Sequence, residues 1–99
     1  MAEQIHQSEM RILELANGFK CLRRAPGIHG GLWDAMALDD WASSGASSGE
    51  KHSVRFVLGV WDPSHKWQSG NFNIFDAIEV WDETHREPFL KWAREPWFA

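Results

Sequence analysis

Two short words recur in this chain, Val60-Trp61-Asp62-x-x-His65 and Val80-Trp81-Asp82-x-x-His85. Each carries a carboxylate and an imidazole three residues apart. On a helix, positions i and i+3 share a face, and paired sets of this kind ligate iron or manganese inside helical bundles. Asp62, His65, Asp82 and His85 are therefore the candidate metal ligands. Pro63 and Thr84 weigh against them by placing both pairs at helix ends, where each Asp serves more simply as a turn residue. The bridging carboxylates are also not identifiable, because Glu9 and Glu14 fall on the wrong helix face if Ile12 points inward. One Cys and scattered His give no zinc spacing. The expectation is a chain without a cofactor.

Other chemical patterns are weaker. Gly45-Ala46-Ser47-Ser48-Gly49 matches the nucleophile elbow G-x-S-x-G, but that motif needs a strand before it and a large sheet to carry the acid and the histidine. Ser48 to Lys51 matches S-x-x-K without its companion motifs. A phosphate loop over Gly45 to Lys51 fails because Glu50 stands where Gly must precede Lys. Backbone amides at the start of the following helix could still hold an anion. Cys21 has basic neighbours at Lys20, Arg23 and Arg24 but nothing that marks it as an activated thiol.

Charge placement gives the remaining candidate site. Asp76, Glu79 and Glu83 lie at i, i+3 and i+7 and would form one acidic stripe on a helix, with Asp82 and Glu87 extending the negative field. Trp67 and Trp97 would supply aromatic contact area at the rim of such a face. Its partner would be a protein with a basic surface, steered in by the field.

These residues are positioned by helices. Val54, Val57, Leu58 and Trp61 recur at i, i+3, i+4 and i+7, and Phe56 and Val60 point elsewhere, so this helix is apolar on more than one face. Ile74, Ala77, Ile78 and Trp81 repeat the spacing, which predicts two equivalent helices packing Trp61 against Trp81. The chain starts with a helix over residues 3–16, with Ile5, Ile12 and Leu15/Ala16 inward and Asn17-Gly18 as a left-handed cap. Ala25 to Gly31 is a Pro/Gly turn. A second helix over 32–42 would put Trp33, Ala37 and Trp41 on one face. Ser43 to Gly49 reads as an internal flexible loop, and Ser47 with Glu50 as a capping box starting the central helix. Asn71 or Asn73 caps the next helix, and Thr84 with Glu87 makes a capping box for the last, with Pro88 at N4 and Pro96 ending it. Trp97 and Phe98 should fold back onto the body.

The totals agree with one small domain. Ninety-nine residues form a single all-α unit over 1–99, a compact bundle of four to five short helices. The size scaling buries roughly 65% of the unfolded chain's surface, enough for a core without disulfides. Seven Trp and six Phe with no Tyr fill that core with few, large side chains. A net charge of −4 argues against direct contact with a nucleic-acid backbone. One cysteine, no secretory signal and no apolar run near 18 residues fit a soluble cytoplasmic protein without membrane contact. No nucleophile, base and oxyanion donors can be assembled. The expectation is thus a non-enzymatic protein that binds a protein partner through the acidic face, with a homodimer left open. Two alternatives stand beside it. One is an inhibitor of a host defence or nucleic-acid-binding complex, of the anti-CRISPR-like kind encoded by phages or mobile elements. The other is the metal-binding bundle.

Overall fold

The computed structural model describes residues 2–99, with side chains from Gln7 onward, so the expected core position Ile5 lies outside the described side chains. Five α-helices follow one another: α1 (Ala2–Asn17), α2 (Ala35–Ser44), α3 (Ser48–Trp61), α4 (Ile74–Val80) and α5 (Glu83–Arg94). Two 3-10 turns, Lys20–Leu22 and His29–Gly31, connect α1 to α2. No strand occurs among the described residues. A radius of gyration of 12.4 Å is what a single compact unit of this length should have.

α3 is the hub, and each of the other four helices packs against it. Its start is the expected capping box: the Ser47 hydroxyl accepts from the Glu50 amide at 3.3 Å, and the Glu50 carboxylate accepts from the Ser47 amide at 2.8 Å. Val54, Phe56, Val57, Leu58 and Val60 are all buried, so the helix is covered on more than one face. Phe56 gathers the aromatic core. Its ring centroid lies 5.2 Å from Phe89, 5.2 Å from Trp92, 5.3 Å from Phe72 and 5.9 Å from Phe19. Such pairs contribute about 0.5–1.5 kcal/mol each beyond their area.

The two Trp words do not build equivalent helices. α3 runs fourteen residues and keeps Trp61 as its last, half-buried against Trp33 at 5.2 Å. α4 runs only seven residues and stops at Val80. Trp81 leaves the helix with extended backbone and swings into the core, 5.7 Å from both Phe19 and Phe72. There its indole N–H donates to the Ser53 hydroxyl at 3.2 Å. The predicted Trp61–Trp81 contact is replaced by two separate clusters.

Several boundaries move for identifiable reasons. The Asp34 carboxylate accepts from the Ala37 amide at 3.1 Å, so α2 begins at Ala35 and Trp33 precedes it. The buried side of α2 is Leu38, Asp39 and Ala42 rather than Trp33, Ala37 and Trp41. Ser43 and Ser44 stay helical, each hydroxyl donating to the carbonyl four residues back, and Ser48 already belongs to α3. The expected Ser43–Gly49 loop shrinks to Gly45–Ser47. Gly18 has no positive φ and is not a left-handed cap. It instead admits Pro88 of α5, whose Cβ would stand 3.3 Å from a Cβ at this position. Gly27, with φ +87°, holds the turn before α2: its carbonyl accepts from the Asp34 amide at 3.0 Å.

Asp39 is a charged residue in the interior, 2% exposed. Its carboxylate accepts from the Ser69 amide at 2.8 Å, the Ser69 hydroxyl at 2.7 Å and the Gln68 amide at 3.0 Å. Arg55 donates from the other side to the Ser69 carbonyl at 2.6 Å. These bonds fix the connection between α3 and α4, and with it the entry to α4.

Candidate functional site

α4 is the shortest of the five helices, with seven residues. Asn73 starts it, its side-chain oxygen accepting from the amides of Phe75 at 2.9 Å and Asp76 at 3.2 Å. Ala77 is its one fully buried residue, and Trp81 just beyond its end anchors it to the core. Around that anchor the outer side is open. Phe75 is 81% exposed, and Ile78 and Val80 are exposed as well. Phe75, Ile78 and Glu79 stand at i, i+3 and i+4 and so share one face, with Asp76 exposed beside them. A large apolar surface ringed by carboxylates is an uncommon use of a seven-residue helix, since a ring of this size is normally covered.

The expected acidic residues are divided between two helices. Asp76 and Glu79 belong to α4, whereas Glu83 opens α5 and Asp82 is its N-cap. The stripe Asp76, Glu79 and Glu83 is therefore not one helix face, because the chain breaks at Trp81-Asp82 to bury the indole. Trp67 is also misplaced as a rim aromatic. It is 8% exposed, and its N–H donates to the Asp62 carbonyl at 3.2 Å. Trp97 is half-buried, with its carbonyl accepting from the Trp92 indole at 2.9 Å and the Arg11 guanidinium 4.2 Å over its ring. Phe98 also folds back, its ring edge-on to Trp92 at 5.7 Å and the Ala99 amide donating to the Val60 carbonyl at 3.0 Å, but its outer side stays exposed.

Glu87 and Trp97 do meet, in a groove of about 610 Å³ between α1 and α5. Leu15, Pro88 and Trp92 give it apolar walls, and Arg11, Lys20 and Lys91 set cations against the carboxylates of Glu14, Glu87 and Glu95. The balance of signs favours neither an anion nor a cation.

The two Asp-x-x-His words are local turns. At Asp82 the same carboxylate oxygen accepts from the His85 amide at 3.1 Å, the Thr84 hydroxyl at 2.7 Å and His85 Nδ1 at 2.7 Å. The His85 ring foremost, with the Thr84 hydroxyl, holds the Asp82 carboxyl far below the usual carboxylate range. Asp82, not Thr84 with Glu87, caps α5, and Pro88 therefore lies deeper in the helix than N4. Asp62 accepts from the Ser64 amide and hydroxyl, while the His65 ring packs against Trp67 at 4.2 Å, tilted by 49°. Among the described residues no three His, Cys, Asp or Glu side chains converge as a metal-holding group.

The nucleophile candidates are likewise absorbed by structure. The Ser47 hydroxyl is engaged in its cap. Cys21 lies 3.8 Å from the Ser53 hydroxyl, and burial pushes its thiol up, away from the reactive thiolate.

Three residues escaped the sequence reading. Phe75 was hidden because it sits beside the apolar stripe of α4 and looks like core. Asp39 was hidden because its partners are about thirty positions away. His52 in α3 carries no pattern at all, yet it is 9% exposed with its Nδ1 buried and unpartnered. Among the described residues no helix is long and apolar enough to cross a membrane. No family model, no curated protein and no solved structure matches this chain.

Proposed function

We propose that this chain is a non-enzymatic protein-binding module that docks through α4. Phe75 and Ile78 would enter an apolar pocket on the partner, and Asp76 and Glu79, with Glu83 nearby, would meet Lys and Arg at its rim. The observation that carries this reading is Phe75 at 81% exposure on a helix already anchored by other residues. Aromatic anchors surrounded by charge are the usual concentrated source of binding energy, and the charges raise the association rate. Self-association face to face would set Asp76 and Glu79 against their own copies, so the charges favour a different, basic partner over a homodimer.

A photo-crosslinking phenylalanine analogue at position 75, with a control at exposed Arg24, identifies the occupant in producing cells. The expected adduct forms at 75 alone and contains a protein with a basic patch. Association with that protein should be salt-sensitive, and Glu79→Lys should slow it and flatten the salt dependence. Glu79 is the clean reversal, because Asp76 and Glu83 occupy first turns and stabilise their helices through the dipole. An adduct only between copies of this chain, or an unchanged association rate for Glu79→Lys, would refute the reading.

A further inference from the structure

His52 lies in the second turn of α3 and is covered by the elements packed on that helix. Its Nδ1 is buried without any hydrogen-bond partner. A neutral imidazole tolerates this by keeping Nδ1 as a bare lone pair with the proton on Nε2. An imidazolium cannot, because both nitrogens then carry hydrogens and Nδ1–H would point where no acceptor exists. Two charged groups act on the ring. Arg55, from its own helix, opposes a second positive charge, and it cannot swing aside freely because its guanidinium holds the Ser69 carbonyl at 2.6 Å. Asp76 is the charge that α4, among the elements packed on α3, lays beside the ring, and it favours protonation. Burial first, and Arg55 second, outweigh Asp76, so the imidazole is held below its usual range.

We propose that His52 is an acid-sensitive latch under the docking helix: neutral, it lets α4 close over α3, and protonated, it loosens α4 and the Gln68–Asn73 connection that leads into it. α4 is the element placed to yield, because it lays Asp76 beside the ring and, as the shortest helix at seven residues with Ala77 its one fully buried residue, has little to hold it closed. Opening α4 gives Nδ1 access to water and removes its carboxylate neighbour only partly, so the charged ring gains more than it loses. For the docking reading this means that acidification withdraws the face carrying Phe75. The latch rests on that reading for its consequence alone, since its own test uses the free chain.

Amide hydrogen exchange of the free protein, corrected for intrinsic rates, is followed from pH 7.5 to 5.0 by NMR. Protection in α4 should fall by up to about tenfold per pH unit once His52 begins to charge, the limit for uptake of one proton on opening. Protection in α2 should stay level. His52→Phe, which cannot titrate, should hold α4 protection level over the same range, and His85→Gln should leave the wild-type fall in place. Direct titration of the His52 imidazole tests the latch if His52→Phe does not fold: the ring should protonate below the ordinary imidazole range. Level α4 protection in the wild type, an equal fall in His52→Phe, or a His52 ring that charges within the ordinary imidazole range would each overturn the latch. None of these outcomes depends on whether a partner exists.

Discussion

Phe75→Ala separates folding from binding, because the two depend on different parts of the same ring. An aromatic residue buries about 150–250 Å² when fully covered, and at 81% exposure only about a fifth of that is gained on folding. At ~25 cal/mol per Å² the loss on truncation is roughly 0.7–1.2 kcal/mol. Alanine recovers about 0.5 kcal/mol through its better helix propensity. The net change in stability should be under about 0.7 kcal/mol, a shift in melting temperature of roughly 3–5 °C at most. On docking, the other four-fifths of the ring would be covered, worth about 3–5 kcal/mol before the costs of association. A loss of at least ~2 kcal/mol in binding follows, or about thirty-fold in Kd. Thermal unfolding by circular dichroism measures the first quantity, and calorimetry with the crosslinked partner measures the second. A melting temperature lowered by ten degrees or more would show that the ring belongs to the core. A Kd changed less than threefold would remove α4 from the interface.

The interior makes further predictions. Asp39→Ala leaves the amide and hydroxyl of Ser69 and the amide of Gln68 without their acceptor, and at about 1–3 kcal/mol per buried unsatisfied group urea unfolding should report a loss of roughly 3–5 kcal/mol. Gly27→Ala combines φ +87° with a Cβ 2.2 Å from the Asp34 carbonyl oxygen, so the turn must rearrange, and the expected loss exceeds ~2 kcal/mol by the same assay. The Asp82 carboxyl has a folded pKa depressed by His85 and Thr84, so its stabilisation is present above the ordinary aspartate range and is lost as pH falls through its lowered value. Acid unfolding followed by circular dichroism should therefore be less steep in Asp82→Asn, which cannot titrate, and an identical acid limb would refute that role.

What was legible in the sequence was the part governed by short-range rules. The α3 stripe of Val54, Val57 and Leu58, and the Ser47–Glu50 capping box, depend on neighbours three or four positions away, and both occur as read. The all-helical fold follows from the same periodicity. The acidic residues of α4 were placed on the surface correctly, but their geometry depended on where α4 ends. That end is set by the attraction of Trp81 to Phe19, Phe56 and Phe72, a contact between distant segments that no local pattern contains. Trp67 was misread for the same reason, since whether a tryptophan is rim or core depends on what the fold brings over it. Asp39 shows the converse: a charge on α2 with no local partner is a buried acceptor because Ser69 returns to meet it.

The duplicated Val-Trp-Asp word acquires a physical meaning from these contacts that differs from ligand chemistry. In both copies the Asp carboxylate accepts from the hydroxyl residue two positions on, Ser64 in one and Thr84 in the other. The same local device ends one helix and begins another. After Asp62 the turn goes no further: the Asp62 carbonyl accepts from the His65 amide at 3.3 Å, one residue short of a helical bond, and from the indole N–H of the buried Trp67 at 3.2 Å. After Asp82 the carbonyl accepts from the Arg86 amide at 3.1 Å, as a helix requires, with the Arg86 Nε adding a bond at 3.4 Å, and α5 proceeds. Each copy ends its helix by burying, or half-burying, a tryptophan, and each Asp reorganises the chain at once afterwards. The second helix is thereby cut to seven residues, too short to bury its own apolar side chains. Phe75, Ile78 and Val80 are left outside as a geometric consequence of seating Trp81, and the exposed carboxylates of Asp76 and Glu79 keep that surface solvated.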